Sequence, residues 1–62
     1  MVYFRVIAIE GGDKTIQLEM PFECAPSEGD VFTLPDGVEV RVRHVIRAAR
    51  DGLDGVLFAW VQ

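Results

Sequence analysis

Covalent chemistry has little to work with in this chain. Cys24 and His44, each the only residue of its type, are the one pairing that could act as nucleophile and base. Such a pair needs hydrogen-bond reach, a third group to orient the base, and a pocket. No nucleophile motif surrounds Cys24, and 62 residues leave little volume for a cleft. No catalytic residues are expected, and Cys24 and His44 read as a half-buried loop thiol and a rim histidine. Structural zinc takes about four ligands, more than one cysteine and one histidine supply in a single copy. The stretch Asp51-Gly52-Leu53-Asp54-Gly55 resembles a calcium loop only in outline. Calcium wants about six to eight oxygens, and an EF-hand ends on a glutamate. Here two carboxylates stand alone with no glutamate downstream, and Asp-Gly pairs are ordinary turn formers. Neither a metal nor a cofactor is expected.

The second chemical feature is charge. Residues 38–50 read VEVRVRHVIRAAR, with four arginines and no acid after Glu39. From Glu19 to Glu39 there are six acids and no base. Such asymmetry can steer a partner or pair strands of opposite sign. Arg5, Arg41, Arg43 and Arg47, beside an aromatic such as Tyr3, are the set a single-strand nucleic-acid binder would use. The net charge of −4 opposes a general polyanion binder, because affinity for nucleic acid comes largely from phosphate neutralisation. The favoured reading is a solvated face whose arginines pair with Gln17, Glu19 or Glu39.

The elements that must carry these residues follow from the punctuation of the chain. VYFRVIAI (2–9) is rich in β-branched and aromatic residues, and the glycine pair in EGGDK predicts a hairpin after it. TIQLEM (15–20) alternates, with Ile16, Leu18 and Met20 on one face. Pro21, lacking an amide hydrogen, ends regular pairing. PFECAPSEG (21–29) is irregular, and DVFTL (30–34) is a short strand. PDG (35–37) is a tight turn. The run 38–50 fits helical spacing as well as strand spacing. Propensity favours a strand over 38–47, since valine and isoleucine lose rotamer freedom in helices and pack well on sheets. A short helical turn near 46–51 is allowed for after it. A β-bulge near Arg43 and His44 would return Val45 to the interior and leave His44 at the rim. VLFAWV (56–61) closes the chain after the loop ARDGLDG.

The stretch PSEGDVFTLPDGVEVRV (26–42) resembles the middle hairpin of Src-homology-3-like small barrels. A Gly-Asp pair enters an alternating strand, a tight turn follows, and the return strand reads Val-x-Val-x-Val. The chain is also similar to short bacterial and phage proteins of that shape. The resemblance implies a small barrel that binds peptides, nucleic acids or other subunits and seldom catalyses. The acidic, tyrosine-rich loop of peptide-binding signalling barrels has no counterpart here, which speaks against proline-peptide recognition.

The fold expected is therefore all-β, a five-stranded antiparallel small barrel in a single domain spanning residues 1–62. Its core would be Phe4, Val6, Ile16, Leu18, Met20, Val31, Val38, Val40, Val42, Ile46, Phe58 and Trp60. Sixty-two residues hide only about 60% of the unfolded surface, which makes a second copy a natural way to enlarge the core. A single cysteine forms no internal disulfide and fits a reducing compartment. Arg5 and Glu10 interrupt the opening apolar stretch, so no signal peptide is read there. The longest apolar run, Val56 to Val61, is far short of the roughly 20 residues of a membrane helix. A soluble, cytoplasmic protein that is not an enzyme and has no membrane partner is the expectation.

Strands 2–9 and 56–61 are apolar on both faces, which a one-sided sheet does not require. Either PFECAPSEG folds over their outer surface, or a partner does. A partner surface would involve Tyr3, Ile7, Ile9, Leu57 and Val61. The leading function is a non-enzymatic protein-binding or self-association module; the alternative is a weak nucleic-acid binder using Arg5, Arg41, Arg43 and Arg47.

Overall fold

The segments rich in valine, isoleucine and aromatics all become strands, and the computed structural model describes residues 1–62. They are β1 (Val2–Gly11), β2 (Lys14–Phe22), β3 (Val31–Thr33), β4 (Glu39–Arg50) and β5 (Leu53–Val61). The EGGDK reversal joins β1 to β2, with a register shift between Ile9 and Gly11. The PDG turn is closed by hydrogen bonds from Gly37 N to the Leu34 carbonyl (2.9 Å) and from Leu34 N to the Val38 carbonyl (2.8 Å). The Asp36 carboxylate accepts from Val38 N at 3.0 Å and stiffens it further.

The strand reading of residues 38–47 holds, but no helical turn follows near 46–51. Strand β4 runs on to Arg50, which pairs with Leu53 across a two-residue tip. Asp51 and Gly52 take φ of 54° and 83°. Two consecutive positive φ angles match the twist of a tight hairpin, which is why Asp-Gly suits such a tip. The hairpin therefore wins over the helix cap that Gly52 could have formed, and the expected loop ARDGLDG shrinks to its tip. The bulge is present: Val42 faces Ala59 while His44 faces Phe58, leaving Arg43 as the extra residue. Val45 packs against the core and His44 is exposed, as that bulge requires.

The strand order is β2-β1-β5-β4-β3. The sheet is mixed rather than purely antiparallel, because β5 pairs antiparallel with β4 and parallel with β1. Direction explains it. With β3, β4 and β5 alternating in hairpins, β3 and β5 run the same way as β1. Seating β5 beside β1 thus forces a parallel ladder. The Asp54 carboxylate lengthens that ladder by accepting from Tyr3 N at 2.9 Å.

The sheet curls into a half-barrel. Its two edge strands, β2 and β3, approach at one end through Phe22 and Phe32, whose rings meet edge-on at 5.3 Å between centroids. Phe4 stands edge-on to Phe22 at 6.0 Å. The concave side encloses Phe4, Val6, Ala8, Leu34, Val40, Val42, Leu57 and Ala59. Ile16, Leu18, Met20 and Val38 pack against them as expected. Four expected core positions do not. Val31 pairs with Arg41 on the outer side, because Phe32 opposite Val40 takes the inward place. Ile46 is turned out by the same bulge that turns Val45 in. Phe58 and Trp60 are on the convex side, and Leu57 and Ala59 replace them inside.

Candidate binding face

The register lines up the convex side in rows across β2, β1, β5 and β4. One row is Gln17, Ile7, Phe58 and His44; the next is Thr15, Ile9, Trp60 and Arg41. A third runs Glu19, Arg5, Val56 and Ile46. In the first two rows the middle strands β1 and β5 carry apolar residues between polar flanks, and in the third the apolar pair is Val56 and Ile46, so the stripe slants from β1 across β5 onto β4. Tyr3, Ile46 and Trp60 on this side are 47%, 44% and 40% exposed. Isolated exposed apolar residues are normal, whereas a contiguous stripe is not.

The segment 21–29 does not cover the stripe. Phe22 and Ala25 pack against the core, and Gly29 N donates to the Val42 carbonyl at 2.8 Å. Of the residues expected to form a partner surface, Tyr3, Ile7 and Ile9 share the convex side. Leu57 does not: it is fully buried. Val61 pairs with Val40 and packs against the core from inside. The parity of β5 is the reverse of the expected one. Gly55 and Ala59, the small residues, share a face with Leu57, where the curl leaves least room; that was the available signal. A Cβ on Gly55 would meet the Ile46 carbonyl oxygen and come within 2.7 Å of the Phe4 ring.

The arginines fare differently from one another. Arg5 pairs with Glu19 at 3.3 Å, as the solvated reading expects. Arg41 donates from Nε to Gln62 Oε1 at 3.2 Å, and Gln62 Nε2 in turn donates to Glu39 at 3.2 Å. Arg43 lays its guanidinium over the Trp60 ring, 5.1 Å from the centroid. Arg47 lies opposite Gly55, on the concave parity, and so leaves the set formed by Arg5, Arg41 and Arg43. The one other contact of this kind sets His44 Nδ1 3.9 Å from a Glu28 carboxylate oxygen.

Cys24 is exposed rather than half-buried, because the loop turns Phe22 and Ala25 to the core instead, and it lines a shallow depression of about 290 Å³ with Phe22, Pro26 and Phe32. It forms no hydrogen bond with His44, whose ring instead stands 6.3 Å from that of Phe58. Asp51 forms the hairpin tip and the carboxylate of Asp54 is committed to Tyr3 N. No cluster of three histidine, cysteine or acidic side chains occurs. No helix is long and apolar enough to cross a membrane.

These features define the class: a small all-β half-barrel of five strands, compatible with a Src-homology-3-like fold, with an apolar convex stripe. Comparison with family models, curated proteins and solved structures finds no match.

Proposed function

We propose that the chain is a non-enzymatic binding module that docks a protein partner on its convex face. The observation that carries this reading is the contiguous stripe of Ile7, Ile9, Ile46, Phe58 and Trp60, left open across three strands. Burying such a patch on a partner is worth roughly 25 cal/mol per Å² of apolar surface before the costs of association. A random-peptide display selection tests it. Selected ligands should lose binding when Phe58 and Ile46 become serine, and should keep it in 1 M salt. Ligands indifferent to those changes would refute the reading.

A second reading has its own support. Arg43 over the Trp60 ring, with Arg41 in the adjoining row, resembles the arginine and aromatic pairing that single strands use. Binding of a thymidine oligonucleotide that falls steeply with salt, and is lost in Arg41→Ala/Arg43→Ala, would favour it.

A further inference from the structure

We infer that the partner segment seated on the convex face is acidic as well as apolar, and that Arg41 and Arg43 select it. This rests on the docking reading above and adds the chemistry of the occupant. The chain holds ten acids against six lysines and arginines, so carboxylates are plentiful. Arg5 has one, in Glu19, and His44 has one, in Glu28. Arg41 and Arg43, which flank the exposed Trp60, have none within salt-bridge range. Arg41 is linked to Glu39 only through Gln62, whose Nε2 donates to the Glu39 carboxylate.

Its place over Trp60 makes Arg43 more than a spare charge. The ring holds the cation at the rim of the stripe, and the N–H fork of a guanidinium matches a carboxylate. Alternation from inward-facing Val42 turns Arg43 to the convex side beside Trp60, and the bulge keeps His44 on that side as well. On the other flank Arg5 is paired with Glu19 and Gln17 is uncharged, so the arginines of this face without a carboxylate partner lie at the β4 edge. An occupant complementary to this face has apolar side chains over Ile7 and Phe58 and acids toward β4. A nucleic acid would find two guanidiniums without carboxylate partners, but its sugar–phosphate chain gains nothing from the apolar remainder. The chain's net −4 also repels a long polyanion.

The test uses fluorescence anisotropy on the whole chain with labelled probes. One is a short peptide alternating Leu and Phe with Glu; the second has Gln in place of Glu; the third is a thymidine oligonucleotide. The acidic peptide should bind about tenfold tighter than its amide twin at low salt, as two charge pairs at a part-desolvated rim provide. Arg41→Gln/Arg43→Gln should bring the two within about threefold. Arg43→Lys, which keeps charge but loses the fork, should fall between. Melting curves should show that these exposed substitutions leave the fold intact. Equal binding of the two peptides, lost in Phe58→Ser/Ile46→Ser, would overturn the acidic preference and leave the docking face standing. Failure of both peptides to bind would remove the docking reading with it. Tighter binding of the oligonucleotide than of the acidic peptide would overturn the inference in favour of nucleic acid.

Discussion

Gly55→Ala is the sharpest single test of the architecture. Gly55 sits in the middle of the sheet, opposite Phe4 on one side and Arg47 on the other. An added methyl would overlap the Ile46 carbonyl oxygen, stand 2.7 Å from the Phe4 ring and 3.2 Å from Arg47 Cα. Two of those neighbours are backbone atoms of β4 and cannot swing aside without loosening the β4–β5 ladder. Phe4 is fully buried and braced by Phe22, so its ring has nowhere to go. Overpacking of this kind costs about 3 kcal/mol at the upper end of the usual range. Removing a glycine returns roughly 0.5–1 kcal/mol by restricting the unfolded chain. The net expectation is a loss of about 2 kcal/mol, a large share of the few kcal/mol that a domain of this size commands. In thermal melts followed by Trp60 fluorescence, that corresponds to a drop of about 15 °C. Phe4→Leu in the Gly55→Ala background should recover part of the loss, since it clears one of the two clashes. If Gly55→Ala melted within about 3 °C of the parent, the close approach of β4, β5 and Phe4 described here would be wrong.

Three further outcomes follow from the same geometry. Leu57→Ala should cost about 3 kcal/mol in urea unfolding, while Ile46→Thr, exposed and still β-branched, should cost less than about 1 kcal/mol. Asp54→Ala should lose the carboxylate that accepts from Tyr3 N, costing about 1 kcal/mol and speeding exchange of that amide, while Asp54→Asn should preserve most of the protection. Arg43→Gln should change the emission of Trp60, the single tryptophan, whereas Arg47→Gln on the opposite side should leave it unaltered.

Strand positions were readable because their local chemistry is unambiguous. TIQLEM alternates, EGGDK and PDG turn, and the valines of 38–42 belong in a sheet. The bulge was readable too, since only an extra residue lets both Val42 and Val45 face inward. The parallel ladder was not. Turn chemistry dictates which strands are hairpin partners, but nothing local in VLFAWV says that it will settle beside β1. That neighbour is chosen by closure of the sheet, a long-range matter. The last strand's faces were misjudged for a related reason. With both faces apolar, the period of two carries no information about which is inside, and nothing in the alternation opposes an interior of Phe58 and Trp60.

Size misleads in a tightly curled sheet because the two sides differ in area. On the concave side, side chains from adjacent strands converge, so large residues must face small ones. Phe4 opposite Gly55 on the β1–β5 ladder does this, and Ala8 opposite Ala59 keeps the other end of the same face uncrowded. On the convex side the same strands splay, and bulky Phe58, Trp60 and Ile9 fit without crowding. The small residues were therefore the better guide. A face that mixes glycine and alanine with one large residue belongs to the inside of the curl, and one that is uniformly large belongs to its outside. That inversion also decides which substitutions can probe binding. Leu57→Asp would place a charge in the core, and any loss of binding would report unfolding. Phe58→Ser alters the surface a partner would touch while leaving Phe4, Leu57 and Ala59 to hold the fold.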